Sequence, residues 1–116
     1  EIVKWHTSRI YPVYMIGFAP GFPYLGGLDE RLVTPRKSVP RTVIPVGSVG
    51  IGGAQTGVYP FETPGGWQLI GRTPVRMFRP EANPPSLLQA GDQVKFEPMT
   101  SEQFQAFEEG NLRYGI

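Results

Sequence analysis

The stretch that most constrains what this chain can fold into is 40–73, PRTVIPVGSVGIGGAQTGVYPFETPGGWQLIGRT. Glycine and proline are too frequent there for a helix, while Val, Ile, Tyr, Phe, Trp and Leu recur too often for a flexible linker. Glycines stand at 47, 50, 52, 53 and 57. In an extended chain Ser48, Gly50, Gly52 and Ala54 share one face, with Val49 and Ile51 on the other. A face so small lets another backbone, or a ligand, approach closely. A turn is expected at Gly52–Gly53, making a hairpin whose second strand is Ala54–Tyr59. Glu62–Gly66 reads as a tight turn and Trp67–Arg72 as a further strand. The stretch therefore describes a stiff β framework with a polar site set into it.

The flanks extend this pattern. Glu1–Ser8 reads as the tail of a helix, broken by Pro12, and Val13–Phe18 as a strand buried on both faces. Ala19–Leu28 is a turn-rich loop that holds Phe22 and Tyr24 between prolines and glycines. Asp29–Arg41 is polar and basic, and Pro35 and Pro40 restrict the backbone that carries Arg36, Lys37 and Arg41, so these cations are aimed. Thr42–Val46 and Val75–Phe78 are short strand candidates, Leu87–Leu88 plugs the core, and Gln93–Glu97 alternates as a half-buried strand. Thr100 and Gln103 form a capping box. Phe104 and Phe107 then make an apolar stripe, and Gly110 stops the helix. Short strands, frequent turns and one or two short helices describe a closed antiparallel β-barrel or a sandwich, and glycines where strands must bend favour the barrel. One domain spans residues 1–116.

Composition narrows the function. Eleven basic and ten acidic residues leave a net charge of +1, which argues against nucleic acid or an anionic membrane as partner. No apolar run reaches the roughly 20 residues of a membrane span. The chain has no cysteine, which excludes a disulfide framework and fits a reducing, cytoplasmic compartment. His6 is the only histidine, so a structural zinc site and a Ser-His-Asp triad both lack material. The glycine run is no nucleotide loop, since no lysine occurs between 37 and 95 and no helix follows it. What remains is Arg41, Gln55, Tyr59 and Arg72, with Arg36 and the rings of Phe18, Phe22 and Tyr24. Arginine forks suit carboxylates, the Gln amide both donates and accepts, and the rings supply an apolar wall. The set suits a small amide, a carboxylate or an extended peptide, and it has no strong general base.

These residues also carry a resemblance. GFAPGFPYLGGL (17–28), PRKSVPRTVIPVGSVGIGGAQTGVYP (35–60) and TPGGWQLIGRTP (63–74) are similar to the C-terminal domain of the KipI family. That family includes the B subunit of 5-oxoprolinase, a sporulation kinase inhibitor and the allophanate hydrolase subunit 1 type. The match runs from about His6 to Phe96. It implies a cyclophilin-like closed barrel that forms the C-terminal part of a longer protein, with a smaller α+β domain before it. It also implies the KipA-like C subunit of 5-oxoprolinase as partner, in a complex that opens 5-oxoproline to glutamate at the expense of ATP. Related domains are fused in urea amidolyase. This domain is not expected to bind a cofactor of its own. The alternative implication is an inhibitor that grips the dimerisation domain of a sporulation histidine kinase. Carried over residue by residue, Phe18, Pro20 and Phe22 match the family's GF-x-PGF motif, Arg36 and Arg41 its arginine pair, and Gln55, Thr56 and Tyr59 its Q-T-G-x-Y. Trp67 closes its PGGW, and His6 stands at the family's histidine position. With Tyr24, these residues are expected to line one groove. The pattern of true prolyl isomerases is not recognisable, so isomerase activity is not expected.

Overall fold

The computed structural model describes residues 2–17 and 21–108. It is mainly β with two short helices. Helix α1 (Ile2–Thr7) leads into strand β1 (Ile10–Ile16), and β2 (Pro23–Leu25) follows. A single 3-10 turn, Glu30–Leu32, precedes β3 (Arg41–Ile44), β4 (Ser48–Gly52), β5 (Gln55–Val58), β6 (Thr63–Gly65), β7 (Gln68–Arg72) and β8 (Gln93–Lys95). Helix α2 (Ser101–Glu108) comes last. Six strands form one antiparallel sheet in the order β7-β4-β5-β2-β1-β8, while β3 and β6 pair separately.

The hairpin expected at Gly52–Gly53 is the centre of that sheet. Val49 faces Val58, Gly50 faces Gly57, Ile51 faces Thr56 and Gly52 faces Gln55 across the β4–β5 ladder. Gly53 takes φ +62°, a conformation that glycine adopts without strain. Strict alternation sends Val49, Ile51, Thr56 and Val58 to one side of the sheet, and all four are buried. There they meet Tyr11, Val13, Leu25, Leu28, Leu32 and Met77, with Leu87, Leu88 and Phe96 packed against them. The core plug expected of Leu87–Leu88 is thus found.

The expected closed barrel is not. Among the described residues the sheet stays open, because its end strands β7 and β8 do not pair with each other. Strand β8 is only three residues long, and Ile70 from β7 and Phe96 beyond β8 pack against the same buried residues. Other expectations shift too. Pro12 does not break the chain but lies inside β1, opposite Gln93. Two three-residue strands, β2 and β6, occupy stretches that read as a loop and a turn. In the polar loop Leu32 is buried, and Asp29 caps the 3-10 turn by accepting from the Arg31 N–H at 2.9 Å. In place of a strand at 75–78 there is one isolated bridge, Phe78 to Ser86. The capping box of α2 forms in both directions: Thr100 N–H donates to Gln103 Oε1 at 2.9 Å, and Gln103 N–H to Thr100 Oγ1 at 3.1 Å. The expected stop at Gly110 lies outside the described residues. No described helix is long and apolar enough to cross a membrane.

Candidate functional site

The second face of the hairpin is made of glycine, and the chain's own rings fill it. A Cβ on Gly52 would overlap the Trp67 indole, and one on Gly57 would stand 2.7 Å from the Pro23 carbonyl oxygen and 3.0 Å from the Phe22 ring. The close approach expected of this face is therefore an aromatic cluster. Phe22 is its centre: its ring lies edge-on to Tyr59 at 5.1 Å and to Trp67 at 5.4 Å, and tilted to Tyr24 at 5.0 Å. Such edge-to-face pairs are the preferred aromatic geometry and add about 0.5–1.5 kcal/mol each beyond their burial. Phe22, Tyr59, Trp67 and Ile44 are buried, with Tyr24 and Leu69 packed against them.

Between these rings and the 64–66 backbone lies a recess of about 100 Å³, lined by Phe22, Tyr24, Arg36, Tyr59, Trp67 and the Pro64–Gly66 backbone. Arg36 reaches it because the neighbouring chain is tied down on both sides. The Lys37 N–H donates to the Gly66 carbonyl at 2.6 Å, and the Gln68 amide donates to the Pro35 carbonyl at 3.4 Å. Burial pushes the Tyr59 phenol pKa up, against the opposing effects of a hydrogen bond from the Trp67 backbone and the Arg36 charge. At neutral pH Tyr59 is thus an uncharged phenol beside a permanent cation. The arrangement can hold a small planar group between rings, with an oxyanion on Arg36. Its lining contains no carboxylate or imidazole to move a proton.

The structure divides the expected groove. Phe22, Tyr24, Arg36, Tyr59 and Trp67 come together in the recess. Gln55 lies on the same sheet face, opposite Gly52 and beyond the recess lining. Arg41 is exposed, its backbone paired with Gly65, so it stands in the strand that borders the recess and not in the lining. Thr56 and His6 belong to the opposite face. Thr56 is fully buried and donates to the Gly50 carbonyl at 2.8 Å, while His6 Nε2 lies 2.9 Å from Thr56 Oγ1. His6 packs on Tyr11 and Phe96, and burial lowers its pKa from 6.5 to about 4, so it is neutral at pH 7. Phe18 and Pro20 lie outside the described residues. Among the described residues no group of His, Asp and Glu could hold a metal ion.

Two further cavities were not expected. One of about 510 Å³ lies between α1, β7 and α2, with His6, Ile70, Arg72, Phe96 and Phe104 among its walls. Arg72, expected near the polar site, lies instead over the Phe104 ring at 5.3 Å and donates to the Val46 carbonyl at 3.2 Å. Another of about 410 Å³ is bordered by Arg72, Arg76 and Arg79. The stretch GRTPVRMFRP carries these cations in the sequence, but nothing in it says that they converge on one recess.

Comparison with known proteins places this geometry. The chain is 60% identical over 109 residues to the 5-oxoprolinase B subunit of Bacillus subtilis (strain 168), covering 94% of this chain and 45% of that protein. It is 65% identical over 96 residues to the 5-oxoprolinase B subunit of Haemophilus influenzae, covering 83% of this chain and 45% of that protein. The chain thus spans less than half the length of these curated relatives. Among solved structures, a conserved uncharacterised protein from Pyrococcus horikoshii superposes with a TM-score of 0.84 at 52% identity, over 89% of this chain and 48% of that one. Residues 1–88 match the family described as carboxyltransferase domain, subdomain C and D, and the chain belongs to that family.

Proposed function

We propose that this chain is part of the B subunit of an ATP-dependent 5-oxoprolinase, which opens 5-oxo-L-proline to L-glutamate together with a KipA-like C subunit. The observation that carries this reading is the identity of 60% and 65% to proteins named as the B subunit of 5-oxoprolinase in two species. The recess supports it. A volume of about 100 Å³ falls below the ~300–1,000 Å³ usual for a complete small-molecule site. A binding surface with a cation, a neutral phenol and no proton-moving group suits one half of a site that a partner protein completes. In that shared site Arg36 takes the substrate carboxylate, and Phe22, Tyr24 and Trp67 form the wall against its ring. Gln55 and Arg41 border the same face. ATP is handled elsewhere in the complex. A mainly antiparallel β architecture with two short helices is also what supports the cyclophilin-like reading, with Ile70 and Phe96 packed against the same buried residues. The relatives' names carry nothing for the kinase-inhibitor reading.

The test is reconstitution of the full-length protein with its partner subunits, ATP and 5-oxoproline, following glutamate release. Arg36→Ala is expected to lower kcat/KM by roughly 10-fold to 100-fold, the range for losing one charge-assisted contact. Unchanged turnover in Arg36→Ala, with assembly intact, would remove the recess from the active site. Absence of glutamate release from the wild-type complex would overturn the activity itself.

A further inference from the structure

Beyond the end of β7, the loop after the strand builds a second cationic site. Arg76 and Arg79 border the 410 Å³ cavity, and no carboxylate is among the described residues that line it. Arg79 is set by its backbone: its N–H donates to the Pro85 carbonyl at 2.7 Å, and its carbonyl accepts from the Ala82 N–H at 3.0 Å. Its side-chain Nε is buried and has no hydrogen-bond partner among the described residues. A buried guanidinium nitrogen without an acceptor is unfavourable, and it is uncommon enough to demand an explanation. Arg76 is engaged only loosely. It faces Glu81 at 3.6 Å with both side chains more than 60% exposed, a pairing that contributes little and yields readily to a better acceptor. Arg72, also in the wall, is committed to the Val46 carbonyl and the Phe104 ring and is not among the proposed donors. The remaining walls are largely apolar, with Val46, Val75 and Phe107 among them.

We propose that this cavity binds an organic oxyanion, a carboxylate or phosphate carried on an apolar body, with the Arg79 and Arg76 guanidinium groups as its donors. The two cations select the charged head, because guanidinium forks match both carboxylate and phosphate oxygens. The apolar walls take the body, and the volume falls within the range of small-molecule sites. The site shares no lining residue with the aromatic recess, so it is independent of the substrate reading given above.

Benzoate, phenyl phosphate and the neutral benzamide serve as probes, titrated into the full-length protein at low ionic strength and followed by calorimetry. At least one anion is expected to bind saturably, roughly tenfold or more tightly than benzamide, and to weaken as salt is added. The tighter of the two anions identifies the head group. Arg79→Gln should weaken that binding by about tenfold. Arg76→Gln, at an exposed position that threatens no packing, should weaken it several-fold. All titrations are made on Arg36→Ala protein, so that the aromatic recess does not take up the same probes. The proposal is overturned if neither anion binds more tightly than benzamide, or if adding Arg76→Gln or Arg79→Gln to the Arg36→Ala protein leaves the binding as it was.

Discussion

His6 Nε2 lies 2.9 Å from Thr56 Oγ1, joining residues 50 positions apart and pinning helix α1 to the centre of the sheet. The direction of the bond follows from its neighbour. Thr56 has one hydroxyl hydrogen and gives it to the Gly50 carbonyl at 2.8 Å, so the imidazole must be the donor. Tyr11 secures the same helix through its backbone, its hydroxyl donating to the His6 carbonyl at 2.6 Å. The histidine expected to line a groove is thus a structural clasp.

Replacing Thr56 by Val keeps the shape and removes the hydroxyl. It leaves a buried imidazole N–H and a buried carbonyl each short of a partner. The expected loss is about 1–3 kcal/mol of unfolding free energy, read from urea denaturation. Thr56→Ser, which keeps the hydroxyl, should lose clearly less. A Thr56→Val protein as stable as wild type would show that the hydrogen bond carries no contribution.

Acid should weaken the fold in two steps. The folded pKa of His6 is lowered by burial from 6.5 to about 4, so the unfolded chain takes up this proton first as the pH falls. Stability from this source is complete above pH 6.5, declines between 6.5 and 4, and has gone below that, at most about 3 kcal/mol in all. Asp29 comes later. The side-chain hydrogen bonds from Arg31 hold its carboxyl well below its ordinary 3.8, so its contribution is lost only as the pH falls below that value. The urea midpoint measured against pH should show the first decline in wild type and lack it in His6→Gln. Parallel curves for the two proteins between pH 6.5 and 4 would refute the assignment.

What could be read from the sequence were the features that residues close together decide. The β4–β5 hairpin follows from alternation and two glycines, and the Thr100–Gln103 capping box from a spacing of three; both appear as expected. What could not be read depends on distant partners. Strands β2 and β6 are three residues long and exist only because β1, β5 and β3 lie beside them. Pro12 sits in a strand because its missing N–H is not required by the short ladder to β8. Within the candidate site, the aromatics and Arg36 that the motifs group together line one recess. Thr56 and His6 did not separate from them, since a motif such as Q-T-G-x-Y places neighbours on opposite faces of one strand.

Helix α2 offers a local prediction. Its capping box lies at the surface, and the helix is held to the sheet by contacts that include Arg72 over Phe104 at 5.3 Å. Thr100→Ala should cost about 0.5–2 kcal/mol, concentrated in this helix. Hydrogen exchange at 101–108 should quicken, while the amides of β4 and β5 keep their protection. Uniform quickening across the sheet would show that α2 is integral to the global fold.

The glycine face supplies a last prediction, in a matched pair. Gly52 and Gly71 both lie in the central sheet, and neither has a positive φ, so backbone strain does not distinguish them. Their surroundings do. A Cβ at Gly52 would overlap the buried Trp67 indole, whereas one at Gly71 meets nothing within 4 Å. Gly52→Ala must therefore displace Trp67, and with it the edge-on contact to Phe22 at 5.4 Å, at an overpacking cost of about 1–3 kcal/mol. Gly71→Ala should be neutral or stabilising by up to about 1 kcal/mol, because alanine restricts the unfolded chain more than glycine. Thermal denaturation separates the two, and Trp67 fluorescence, recorded with Trp5→Phe as background, should shift in Gly52→Ala alone. If Gly52→Ala matches Gly71→Ala in both measurements, the indole does not rest on the sheet, and the recess it walls must be rebuilt.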